Sequence, residues 1–188
     1  MSTSIARIIQ GLAVLLLLGA CVTHIEPSAK TNPPPTEALK NFGQFELLPL
    51  QASTEAKQET AALTKVEANL HDKISAVTAP WQRADAGARK LRIEPYVDQL
   101  KFVDGGTRFF AGAFAGSSAV VIKLKLTDAA TGQVVAWPEF YQRAAAMGGA
   151  WSVGGTDNGM LERIATLAQD YLKQNYDQAV GGTTGAED

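Results

Sequence analysis

Cysteine occurs once in the 188 residues, and histidine only twice, at His24 and His71. A single cysteine excludes an intrachain disulfide, so the fold has to stand on its own apolar core. Two histidines beside one thiol do not supply a conventional zinc set of three or four ligands. Ser-His-acid hydrolysis needs an imidazole to take the proton, and the folded part offers only His71, with no Gly-x-Ser-x-Gly elbow to pair it with. An excess of charge of one sign is also missing: 17 Lys and Arg stand against 19 Asp and Glu. That balance leaves no electrostatic footprint for nucleic acid. A membrane-spanning run is absent as well. The apolar stretch 11–20 falls short of the ~20 residues a span requires.

That short apolar stretch, with Arg7 before it and the small residues Gly19 and Ala20 at its end, has the layout of a secretory signal. The next residue is Cys21. Leu18-Gly19-Ala20-Cys21 resembles the signal of bacterial lipoproteins at all four positions of its pattern. The resemblance implies a diacylglyceryl group on the Cys21 thiol, cleavage between Ala20 and Cys21, and acylation of the new amino terminus. Val22 at the following position points, by the same resemblance, to the outer membrane, and the expected lipoprotein faces the periplasm. Cysteine suits this chemistry because its thiolate is strongly nucleophilic, and several acyl chains hold where one is marginal. Removing residues 1–20 takes away Arg7 and leaves 168 residues with 16 basic and 19 acidic side chains, net −3. That length fits one domain plus a tether.

Residues 21–40, with Pro33, Pro34 and Pro35, read as the lipidated terminus and a semi-rigid extended spacer, the alternative being a proline-rich coil lying on the domain. A single α+β domain is expected over 41–176. Phe42–Leu50 has the apolar density of a strand, with Pro49 marking its exit. Ser53 or Thr54 is placed to cap a helix running to Val77, whose stripe is Leu63, Val66, Leu70, Ile74 and Val77. His71 falls at the edge of that stripe, with no second ligand at helical spacing, and Trp81 is set to pack over the helix end. Leu91 and Ile93 alternate with Arg92 and Glu94 in a strand over 89–97, where Pro95 suggests an edge or a bulge. The glycine-rich stretch 104–118 lacks the Lys and Ser or Thr of a phosphate loop and reads as a loop entering a strand. Ala119–Thr127 alternates strictly; Asp128-Ala129-Ala130-Thr131-Gly132 is a hairpin turn. A partner strand returns over 133–143 with a break at Pro138, and charged Glu139 and Arg143 would guard its edge. A second glycine-rich loop, 144–159, leads into a helix over 160–176 capped by Asp157 or Asn158. Its stripe is Leu161, Ile164, Ala165, Ala168, Tyr171 and Leu172. The glycines of 177–188 suggest a disordered tail. The order β-α-β-β-β-α predicts a two-layer α+β domain, its mixed or antiparallel sheet packed by two main helices.

From 89 to 176 the chain resembles an uncharacterised family of bacterial lipoproteins, on the strength of Arg108, the segment 112–118, the strand Val120–Thr127 and the Asp128–Gly132 turn. The layout is similar to lipoproteins of envelope assembly, including curli-secretion and peptidoglycan-synthase activator lipoproteins. The resemblance transfers no catalytic residues, and a fold does not fix a function. The carboxylates Glu94, Asp98, Asp104, Asp128 and Glu139 are numerous enough for glycoside chemistry, yet acids on loops and strand faces are ordinarily solvated. The expectation is therefore an anchored, non-catalytic protein of envelope assembly, secretion or maintenance, with no cofactor beyond the lipid on Cys21 and no metal. Its partners would be the membrane, through the anchor, and another envelope protein, met by the loop holding Met147 and Trp151. Trp151 has an alternative role as a lid on the core. A small-ligand or glycan-binding module and a homo-oligomeric outer-membrane assembly are the competing readings.

Overall fold

A computed structural model describes residues 25–85, 87–102, 118–144 and 155–186. The signal segment, Cys21, Arg108, Met147 and Trp151 lie outside those residues, as do both glycine-rich loops for most of their length.

The strands are β1 (Thr31–Asn32), β2 (Gln44–Leu47), β3 (Gln51–Ala52), β4 (Lys90–Lys101), β5 (Ala119–Asp128), β6 (Val134–Ala136), β7 (Glu139–Arg143) and β8 (Gly182–Thr183). The helices are α1 (Thr60–Thr78) and α2 (Gly155–Asp177). β4 and β5 form the antiparallel centre of the main sheet. β2 and then β3 run parallel to β4 on one side; β6 and then β7 run antiparallel to β5 on the other. The domain is thus α+β, with a mixed sheet covered by two helices on one face and open on the other.

The alternation read in the sequence decides which face is covered. Leu91, Ile93 and Val97 of β4 and Val120, Ile122, Leu124 and Leu126 of β5 are buried against the helices. Val66, Leu70 and Ile74 of α1 and the complete expected stripe of α2 meet them. Each such aliphatic side chain contributes about 1.5–3 kcal/mol on burial, so this seam accounts for most of the cohesion. Trp81 seals the end of α1, as expected, stacking on Tyr176 at 4.1 Å and 17° and tilting against Phe45 at 5.5 Å.

Several boundaries differ, each for a local reason. The expected strand 42–50 is split at Pro49 into β2 and β3. Ser53 Oγ accepts from the Ala56 N–H at 3.1 Å in a turn before a short 3-10 helix, Ala56–Gln58, but neither Ser53 nor Thr54 caps α1, which starts at Thr60 after Glu59. Pro95 stands in a central strand. Leu48 N–H donates to Ile93 O and Ser53 N–H to Val97 O, both at 2.9 Å. The odd-numbered peptide groups of β4 therefore face β2 and β3, and the missing N–H of Pro95 falls at the gap between those two strands. α2 begins at Gly155, so Asn158 lies within it, accepting from the Lys65 ammonium. The Asp128 turn is as read: the Asp128 carboxylate accepts from the N–H groups of Ala130 and Thr131, and Gly132 takes φ +75°.

The largest differences are at the two ends of the described chain. Residues 25–40, expected as a spacer, lie on the domain as a strap. Prolines cannot donate to a ladder, but their carbonyls and neighbours can bond: Tyr171 OH donates to Pro33 O at 3.0 Å and Thr36 N–H to Val135 O at 2.8 Å. Leu39 and Phe42 are fully buried at its end. Residues 178–186, expected to be disordered, fold back as β8 onto β1. The glycines make this possible rather than preventing it. Gly181 takes φ +79° and Gly185 φ +84°, conformations that cost other residues steric strain.

Candidate functional site

The strap and the returning tail together finish the outer edge of the sheet at β6 and β7. Thr184 O accepts from Tyr141 N–H at 2.7 Å, while Thr184 N–H donates to Lys30 O at 3.0 Å. Asn32, 7% exposed, locks the layer from above. Its Nδ2 donates to Glu139 O at 2.8 Å and Thr183 O at 3.2 Å, and its Oδ1 accepts from Glu139 N–H at 2.7 Å. Asn175 does the same for the tail, its Oδ1 accepting from the N–H groups of Val180 and Gly181, both at 2.8 Å. Covering by backbone, more than charge on Glu139 and Arg143, is what blunts this edge.

At the far end of the strap, Arg89 joins three elements. Its guanidinium donates to both oxygens of Glu37 at 2.8 Å and to Asp128 Oδ2 at 2.6 Å, and it lies 4.4 Å over the Phe42 ring. The Arg89 hydrogen bonds hold the Glu37 and Asp128 carboxyls below the ordinary carboxylate range, burial opposing the effect in both; at Asp128 the Ala130 N–H adds to the lowering. This cluster is a structural clasp.

The open face of the sheet carries a ladder of ion pairs. Lys123 bridges Asp98 at 2.8 Å and Glu139 at 3.5 Å, Lys125 faces Glu94 at 4.0 Å, and Arg92 faces Glu46 at 3.3 Å. Burial alone would lower the Lys123 ammonium; the two carboxylates outweigh it and leave it raised. Such half-exposed pairs contribute little stability, about 0–1 kcal/mol each, but they fix the polarity of the face. Against that polar background stands Trp137, 59% exposed, at the break between β6 and β7. With Pro33, Lys123, Glu139 and Ser28 it lines a cleft of about 290 Å³. A larger cleft, about 670 Å³, opens beside the end of β7 among Glu26, Lys30, Tyr141, Arg143 and Gly185. Burial pushes the Tyr141 phenol up.

Of the carboxylates considered for glycoside chemistry, Asp98 and Glu139 meet at the Lys123 ammonium, Glu94 faces Lys125, Asp128 is locked in the clasp, and Asp104 lies outside the described residues. His71 is exposed on α1, beside a small apolar cleft at the β2–β3 gap. Among the described residues, no group of three or more His, Cys, Asp or Glu side chains is placed to hold a metal ion, and no helix is long and apolar enough to cross a membrane. Trp137 was not singled out by the sequence reading. Its cue is the Trp-Pro pair inside an expected edge strand.

No family model matches the chain, and no curated protein matches it. Among solved structures, PelC of Paraburkholderia phytofirmans, a dodecamer, is 15% identical, with 72% of this chain and 91% of that chain covered, at a TM-score of 0.40. A lipoprotein candidate from Caulobacter crescentus is 14% identical over 74% of this chain and 88% of that chain, at a TM-score of 0.36. The hypothetical protein CT253 of Chlamydia trachomatis is 12% identical over 71% of this chain and 99% of that chain, also at a TM-score of 0.36.

Proposed function

We propose that the mature chain is an outer-membrane lipoprotein, held by acyl chains on Cys21 and facing the periplasm, that acts without catalysis by binding another envelope protein. The signal Leu18-Gly19-Ala20-Cys21 supports the anchor. The observation that carries the binding role is Trp137: an indole 59% exposed, lining a cleft with the ion-paired Lys123 and Glu139. Tryptophan is favoured at the centre of interfaces, because it offers large apolar area at low entropic cost together with one N–H donor. Trp137 joins Met147 and Trp151, the contact residues first expected, as a candidate contact.

The test is capture of the partner by in-cell crosslinking of the lipoprotein, comparing wild type with Trp137→Ala. Loss of a central Trp contact costs at least ~2 kcal/mol of binding, or about thirtyfold. Because the ring is mostly exposed, the melting temperature stays nearly constant. Unchanged capture, or a melting temperature that falls with it, rejects the contact role.

A second reading takes a sugar as the occupant of the Trp137 cleft, whose indole, ammonium and carboxylate suit a ring with hydroxyl groups. Saturable quenching of Trp137 fluorescence by an envelope glycan, absent in Trp137→Phe, would favour it. Mass measurement in detergent separates either reading from a homo-oligomeric assembly.

A further inference from the structure

We infer that the domain stands end-on to the lipid surface, with the Ala119 end of β5 and the Arg143 end of β7 on the membrane side and the Asp128–Gly132 hairpin farthest from it. The inference rests on the lipid anchor proposed above and adds its geometry.

The path of the strap carries the argument. Ile25 packs on Ala119, Val121 and Tyr141. Ser28 N–H donates to the Glu139 carboxylate, and Asn32 brackets the Glu139 backbone. Thr36 bonds Val135, and Glu37 reaches Arg89 and the clasp. Residue numbers rise along the strap as they fall along β7 and β6, so the strap climbs the sheet edge from the Ala119–Arg143 pair towards the hairpin. Followed backwards, it leaves the domain at that pair. Only three residues separate Ile25 from Cys21, and the four chain steps between them span at most ~14 Å. β5 itself covers nine steps from Ala119 to Asp128, about 30 Å. The anchor therefore has too little chain to reach the hairpin end.

The same geometry sets the height of the proposed contact. Trp137 follows Ala136, whose partner on β5 is Leu126, seven steps and roughly 20 Å from the Ala119 end. The open face then stands upright, reachable from the side by a neighbouring envelope protein.

The test uses the mature lipoprotein in vesicles of phosphatidylethanolamine and phosphatidylglycerol. With Cys21 acylated, Arg143→Cys, Lys101→Cys and Ala130→Cys each provide one thiol for a fluorophore, and a nitroxide on the lipid headgroup serves as quencher. Arg143 and Lys101 mark one end of the sheet and Ala130 the other, so either of the first two serves if the other does not fold. The expected result is several-fold stronger quenching at 143 and 101 than at 130. Equal quenching at both ends, from a sheet lying flat, or stronger quenching at 130 overturns the orientation while an acylated intact mass leaves the anchor standing. A protein without acyl groups refutes the anchor and the orientation with it.

Discussion

Replacing Asn32 with alanine tests whether residues 25–40 belong to the folded domain or merely connect it. The side chain makes three hydrogen bonds to backbone groups of β7 and β8, and it is 7% exposed. Each such bond contributes about 1 kcal/mol net, so the substitution should cost about 3 kcal/mol, with the orphaned Glu139 N–H tending to raise the figure. For a domain of this size 1 kcal/mol corresponds to about 2–4 °C, which gives a fall in melting temperature of about 6–12 °C. Thermal and urea unfolding followed by circular dichroism measure it. Thr31→Ala is the control, an exposed neighbour whose replacement should stay within about 0.5 kcal/mol. Hydrogen exchange adds a local reading: the amides of Thr36 and Thr184, bonded to Val135 O and Lys30 O, should lose protection together in Asn32→Ala. If Asn32→Ala unfolds like Thr31→Ala, the strap is not part of the domain, and the spacer reading returns.

Three further outcomes follow from the same edge. Gly181→Ala should destabilise by at least ~2 kcal/mol, since the new Cβ would sit 2.4 Å from Asn32 O at φ +79°; Gly132→Ala, at φ +75° with nothing within 4 Å, should cost only the ~1 kcal/mol of backbone strain. Equal losses in urea titrations would show that the close approach to the strap is not real. Tyr171→Phe removes the bond to Pro33 O and should cost about 1 kcal/mol, with no change in secondary structure. For the clasp, the lowered Asp128 carboxyl favours the folded state fully above the ordinary value of about 4, and this contribution fades as the pH falls through its lowered folded value. Unfolding midpoints should therefore drop on acidification below about pH 4, and Asp128→Asn should be less stable at neutral pH with a shallower drop in acid. Parallel curves for the two proteins would dismiss the clasp.

The layers of this fold were legible because the alternation of β4 and β5 and the stripes of α1 and α2 are set by one requirement, burial of a single apolar face. The ends were not legible for the opposite reason. Pro33, Pro34 and Pro35 are poor in donors, and the glycines of 181–185 are poor in side chains. Their order comes from carbonyls, positive φ and two buried asparagines, signals that no periodicity reports. Asn32 looks like an ordinary loop residue, and Asn175 like an ordinary residue of a helix end, until the backbone groups they satisfy are brought beside them. For Pro95 the sequence left an edge or a bulge open: β4 is central, a gap between β2 and β3 accommodates the missing donor, and the register shifts between Val97 and Gln99. Of the site, the expected anchor pattern of four adjacent residues lies outside the described residues. The contact loop expected around Met147 and Trp151 lies outside the described residues, and Trp137, inside an expected strand, was not singled out.

The anchor is the claim on which the orientation and the biological setting depend, and intact-mass analysis of the protein extracted from membranes tests it most directly. The account predicts a chain beginning at Cys21 with diacylglyceryl and further acyl mass on that residue, released from the membrane fraction in Cys21→Ser. A chain that retains residues before Cys21, or begins there with a free thiol, would contradict it.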